Sequence, residues 1–132
     1  MPTNKNPRKA ETAVSQHRQR QRRYRSGLTA ERIAAFWLTL KGYRILGTRV
    51  RTPAGEIDLV AVRANRLAFV DVKRRANRQE AEAAVTARQR QRVRGAANLW
   101  LARNPRFQDR DICFDLVFLV PRQWPRHITN GL

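Results

Sequence analysis

Cysteine and acid are what this sequence has least of. One cysteine, Cys113, in 132 residues excludes an intramolecular disulfide framework and a cysteine-based zinc cluster. No apolar run approaches the ~20 residues needed to span a bilayer. The first 25 residues also lack the apolar stretch of a secretory signal. These absences predict a soluble protein of the cytoplasm with no membrane partner. Asp and Glu number 10 against 28 Lys and Arg, a formal net charge of +18. The length suits one compact domain, large enough to fold on its own core without a disulfide or metal.

So large an excess of positive charge points to a polyanionic partner, and nucleic acid is the commonest. Arg exceeds Lys 24 to 4, a bias that a GC-rich genome alone can produce. Genome composition does not account for the shortage of acids. Residues 1–25 hold eight basic residues, among them Arg18, Arg20, Arg22, Arg23 and Arg25, against Glu11 alone. Their only sizeable apolar side chains are Val14 and Tyr24, too few to order the segment by burial. It is predicted to be a disordered basic arm that meets phosphates, the plainer alternative being a solubilising tail. Residues 26–132 still carry 20 basic residues against 9 acids, so the expected single domain is basic as well.

Within 26–132 the pattern predicts a helix over Thr29–Lys41, capped by Ser26 or Thr29 and ended at Gly42. Ile33, Trp37 and Leu40 form its main apolar stripe and Ala34, Ala35 and Leu38 a second, so it is expected to be largely covered, with Arg32 and Thr39 facing solvent. Strands are expected at Tyr43–Arg51, Glu56–Arg63 and Arg66–Arg74, separated by the turn at 52–55 and by Ala64-Asn65. The third is apolar on both faces up to Asp71, the mark of a central strand. A second helix begins at Thr86, with Gln89 at capping-box spacing, and ends before Asn104-Pro105. A buried strand at 111–120 follows, stopped by Pro121. Three strands, a crossover helix and a further strand make an α/β sandwich, with a mixed sheet between helices.

The chemistry is concentrated in residues 55–75, GEIDLVAVRANRLAFVDVKRR. If the second and third strands form a hairpin with a two- or four-residue loop, opposed residues have numbers summing to 129. Asp58 then faces Asp71, and Glu56 faces Lys73. Directly opposed carboxylates stand roughly 4.5–5.5 Å apart at Cβ and repel. A hard divalent cation such as Mg²⁺ resolves that repulsion, with waters and a substrate phosphate completing its shell. Lys73, two residues beyond Asp71, projects from the same face and can orient water or hold a phosphate as charge develops. The combination fits phosphodiester hydrolysis. The bland alternative is a polar strand end with a simple Glu56–Lys73 ion pair.

Gly55-Glu56-Ile57-Asp58-Leu59 and Phe69-Val70-Asp71-Val72-Lys73, with Tyr43–Leu46 before them, resemble the YraN family of small bacterial proteins. Ala84-Val85-Thr86 and Phe114-Asp115-Leu116 extend the likeness across residues 26–132. That family is similar to the PD-(D/E)XK nucleases, especially archaeal Holliday-junction resolvases. The resemblance implies a restriction-endonuclease-like α-β-β-β-α-β fold and a Mg²⁺- or Mn²⁺-dependent endonuclease acting on DNA, including structured or branched DNA. A non-catalytic nucleic-acid-binding protein on the same fold is the alternative, with an RNA- or ribosome-associated role as a third. In this correspondence Asp58 and Asp71 are the motif acids and Lys73 the motif lysine. Glu31 is the helical acid that joins the metal site, though a first-turn acid is also favoured by the helix dipole. Two departures stand out: the family usually has Glu where this chain has Asp71, and tends to have Lys where it has Gln89. A supporting polar role for Glu56 and Gln89, and a homodimer, follow by the same analogy.

The other candidates are plainer. Arg88, Arg90, Arg92 and Arg94 alternate by two on a helix and so spread around its axis as a broad phosphate-contacting surface. His17 and His127 have no partner at ligand spacing. Cys113, Asp115, Trp37 and Trp100 read as structural, and Trp124, between Arg122 and Arg126, reads as packing more readily than as a base-stacking residue.

Overall fold

The computed structural model describes residues 29–77, 79–80 and 86–132. The basic arm at 1–25, Ser26 and Ala84-Val85 lie outside them. Helix α1 covers residues 29–40. Strands β1 (Arg44–Thr52), β2 (Gly55–Arg63) and β3 (Arg66–Arg74) follow as a meander, then α2 (Ala87–Arg103), a 3-10 turn (Pro105–Phe107), β4 (Asp111–Leu119) and β5 (Arg126–Ile128). The sheet has the order β1-β2-β3-β4-β5. Its neighbours are antiparallel except β3 and β4, which run parallel. A parallel pair needs a long crossover, and α2 lies within that connection.

Each element follows from local chemistry. Gly42, at φ 93°, ends α1, and the Tyr43 N–H closes back on the Leu38 carbonyl at 3.0 Å, a C-terminal motif that glycine permits. Thr86 caps α2 by accepting from the Gln89 N–H at 3.2 Å. The β2–β3 hairpin turns at Ala64-Asn65 and pairs Arg63 with Arg66 through Leu59 with Val70, so the expected register holds over that length.

The sheet separates two apolar layers. On one face Val93, Ala96, Ala97 and Trp100 of α2 pack on Val60, Val62, Leu67, Phe69, Leu116 and Phe118. On the other, Ala30, Ala34 and Leu38 of α1 pack on Leu59, Ala61, Ala68, Val70, Val117 and Leu119. The result is the α/β sandwich expected from the sequence, extended by β5, a three-residue strand too short to leave a periodic signal.

Helix α1 corrects the sequence expectation. Its buried face is Ala30, Ala34 and Leu38, whereas Ile33, Phe36 and Leu40 are 43%, 66% and 66% exposed. The two alanines let the helix lie close to the sheet, and that closeness turns the bulkier side chains outward. Trp124 is corrected in the same way: it is 81% exposed, with its ring 5.8 Å from that of Trp37. Trp100 and Cys113 are buried, as expected.

Midway along β4, level with Val70 of β3, fully buried Asp115 accepts from Arg66 Nη2 at 2.6 Å and from the Asn130 N–H at 2.8 Å. A second Arg66 nitrogen bonds its other oxygen. His127 Nε2 lies 2.7 Å from Asp115, and Nδ1 lies 2.5 Å from Lys41 Nζ. An ammonium can only donate, so Nδ1 accepts and Nε2–H donates to Asp115. The partner that spacing did not reveal for His127 is therefore Asp115, brought to it by the β4–β5 pairing. Burial alone would raise the Asp115 carboxyl. Arg66, His127 and the Asn130 N–H outweigh it and hold the group well below the usual carboxylate range.

An acid with a depressed folded pKa stabilises the fold above its unfolded value of about 3.9 and loses that contribution as pH falls through the folded value. Asp115→Ala, which strands the Arg66 charge, should cost about 3–5 kcal/mol by urea denaturation at pH 7. The gap from wild type should stay level down to about pH 4 and shrink only in stronger acid. A gap that closes near neutrality would refute this account.

Candidate active site

Asp58 stands where the sheet comes apart. The β2–β3 ladder ends at Leu59 and Val70, and the next N–H on the far side, that of Val72, donates to Asp58 Oδ2 at 2.7 Å. A side-chain carboxylate thus takes a main-chain donor. The pleat also breaks here. Ile57 and Val60 both belong to the α2-side layer, although the strict alternation of a strand would put them on opposite faces. Across β1, between the pairs Thr48–Leu59 and Val50–Ile57, Arg49 adopts φ 49°, an uncommon conformation for a residue with a Cβ.

Asp71 is buried beside Asp58. Its Oδ2 accepts from Gln89 Nε2 at 2.9 Å and lies 3.3 Å from Lys73 Nζ. Burial first, then the charge of Asp71, pushes the Asp58 carboxyl up to about 7. The Val72 N–H pulls the other way, while a hydrogen bond with Asp71 and the charge of Glu31 add to the rise. Without a cation, Asp58 keeps its proton up to near neutral pH.

The structure brings Asp58, Asp71, Lys73 and Gln89 together and places Glu31 differently. Glu31, in the first turn of α1, is close enough to act on Asp58 electrostatically, yet both of its oxygens lie 3.1 Å from Arg49 Nε. Among the described residues no three His, Cys, Asp or Glu side chains form a group able to hold a metal ion. The donor set is therefore two carboxylates, a set that suits a cation completed by water and substrate oxygens.

Glu56 does not face Lys73 as the extended register predicted. The strands have separated by that point, and Glu56 pairs with Arg51 at 3.1 Å on the surface, where such a pair contributes little. The Gln89 backbone makes the expected capping bond, but its side chain reaches into the site.

These groups line a cleft of about 1060 Å³, bordered by Arg51, Lys73, Arg75, Arg88 and Arg92. Arg88 and Arg92 are one helical turn apart and share the cleft side of α2. Arg90 is not among the lining residues, and Arg94 stacks over Phe114 at 5.4 Å. The arginine series is thus divided between two faces, and half of it addresses the site. Arg18, Arg20, Arg22, Arg23 and Arg25 lie outside the described residues. Arg51 and Arg75 escaped the sequence reading, although Asp71, Lys73 and Arg75 recur at the period-two spacing that places residues on one face.

Two glycines set the separation between the cleft walls. A Cβ at Gly55, whose φ is 154°, would lie 3.3 Å from both the Cβ and the carbonyl oxygen of Arg92. A Cβ at Gly95 would lie 3.1 Å from that of Ala54. Without these side chains the β1–β2 turn rests closely on α2, and a Cβ at either position would have to push its neighbour back by a few tenths of an ångström.

A mixed sheet between helices, with two acids and a lysine at the parting of its central strands, defines a protein of the nuclease-like α/β class. The family described as "Uncharacterised protein family UPF0102" matches residues 30–119, and the chain belongs to that family, the YraN family. Similar proteins include the UPF0102 protein of Parvibaculum lavamentivorans, 50% identical over 108 residues, 82% of this chain and 81% of the relative. That of Rhodopseudomonas palustris strain BisB18 is 51% identical over 105 residues, 80% and 78% of the two chains. That of Chelativorans sp. is 49% identical over 111 residues, 84% and 90%.

An acid with a raised folded pKa binds more protons in the native state between its unfolded value, about 4, and about 7. Stability therefore falls as pH rises through that window. In EDTA, Asp58→Asn should stabilise the protein by about 2–4 kcal/mol at pH 8 and by little at pH 4. Thermal denaturation at both values checks this, and an equal gain at both would remove the basis for the raised pKa.

Proposed function

We propose that the protein is a metal-dependent nuclease that hydrolyses DNA phosphodiesters, with structured or branched DNA among its substrates. The observation that carries this reading is the repelling pair Asp58 and Asp71, set with Lys73 in a cleft whose rim is otherwise mainly cationic. Asp58 and Asp71 would hold Mg²⁺ or Mn²⁺, and Glu31 could join them only by releasing Arg49. Such a cation supplies Lewis acidity toward a phosphoryl oxygen and lowers the pKa of water.

The side chains supply the rest. Gln89 fixes the rotamer of Asp71, and the Val72 N–H fixes that of Asp58. Lys73, tethered to Asp71, offers its remaining N–H groups to water or to a phosphate oxygen as negative charge grows there. Arg51, Arg75, Arg88 and Arg92 hold flanking phosphates and keep the strand in the cleft. The partners in this reading are DNA and a second copy of the chain. One observation favours a non-catalytic binding protein instead, namely the Arg49–Glu31 ion pair, which satisfies the third acid without a cation.

Purified protein incubated with linear, flap and four-way-junction DNA should cleave in Mg²⁺ or Mn²⁺ and not in EDTA. Asp58→Ala and Lys73→Ala should each lose at least about 10³-fold in rate. If wild type and both variants give the same products, or none, the nuclease proposal fails and the binding protein stands.

A further inference from the structure

The exposed apolar stripe on α1 is the largest feature that the site leaves unused. Ile33, Phe36, Trp37 and Leu40 occupy positions i, i+3, i+4 and i+7, which fall on one face of a helix. Three of the four are 43–66% exposed, and Trp124 extends the patch from beside Trp37. A monomer rarely leaves so many large apolar side chains together in water.

We infer that this stripe is the contact surface for a second copy of the chain, packed α1 against α1 about a two-fold axis. The pattern along the helix carries the inference: aliphatic, aromatic, aromatic, aliphatic. A two-fold contact requires that if residue i meets j, then j meets i. Antiparallel packing of this stripe sets Ile33 against Leu40 and Phe36 against Trp37, so each kind of side chain meets its own kind at both ends. The area is also sufficient. With side chains of ~150–250 Å² for the aromatics, the exposed parts of Ile33, Phe36, Leu40 and Trp124 come to roughly 500 Å² per chain. A symmetric pair then removes on the order of 1,000 Å² from these side chains alone, the level at which specific interfaces begin.

The surface lies on the α1 side of the sheet, whereas the cleft is lined by the first turns of α2 and the β1–β2 turn. Pairing therefore leaves two open clefts on one particle. This deepens the proposed function by locating its second-copy partner, yet it stands on the stripe alone and is measured without DNA.

Charge gives the dimer a signature. Arg32 on the same helix and Lys41 just past its end are exposed, and each copy is strongly basic, so association is opposed by repulsion that salt screens. Self-association should tighten as NaCl rises from about 0.1 to about 0.6 M. Oligomers bridged by nucleic acid would dissociate over the same range.

Sedimentation velocity of the nuclease-treated full chain at about 50 µM should show a dimer. Phe36→Glu and Trp124→Ser should each raise its dissociation constant more than about 30-fold, with circular dichroism and melting temperature unchanged. Leu99→Glu, the same kind of change at an exposed apolar position on α2, should leave the dimer intact. A monomer in high salt, a dimer that weakens with salt, or a dimer indifferent to both stripe variants would each overturn the inference. The cleavage assay decides the nuclease proposal independently.

Discussion

The organising interaction of this protein is one hydrogen bond, from the Val72 N–H to Asp58 Oδ2. A buried amide must find an acceptor, and in an uninterrupted hairpin it would find a carbonyl on β2. Here it takes a side-chain carboxylate, and two consequences follow. The strands part just beyond Leu59 and Val70, opening the end of the sheet. The acid is also anchored in the gap with its charge against that of Asp71. A chain that completed the ladder would bury its backbone more regularly and would have no cleft.

The sheet carries buried charge in two places, resolved in opposite ways. Around Asp115 every partner is supplied: an arginine fork, an imidazole and a main-chain amide neutralise the acid and join β3, β4 and β5. Around Asp58 the protein supplies a second acid, one lysine and one glutamine. The first site is closed within the molecule. The second is left short of positive charge at its centre while its rim has an excess. Such an imbalance costs stability, and it is tolerated because the Asp115 cluster and the two apolar layers hold the same strands.

Much of this was legible from residues alone. Alternation and turn chemistry located α1, α2 and the first four strands, and arithmetic on a two-residue loop placed Asp58 and Asp71 side by side. That arithmetic assumes that pairing persists, so it failed at Glu56, where the strands have already parted. Helix α1 misled for a different reason. Hydropathy ranks Ile33, Trp37 and Leu40 above Ala30 and Ala34, but close approach to a sheet selects small side chains. The roles of Gln89, Arg51 and His127 depend on contacts between elements distant in sequence, which periodicity within one segment cannot register.

Gly55 and Gly95 separate two properties of the cleft that usually change together. Its width is a backbone dimension, set where the β1–β2 turn lies against α2 with no side chain between. Its charge belongs to arginines whose long side chains reach in from the rim. The cleft thus behaves as a gauge with interchangeable jaws: charges at Arg51 or Arg88 can be altered without resetting the gap, and the gap can be reset at Gly95, which faces only Ala54, without touching a charge.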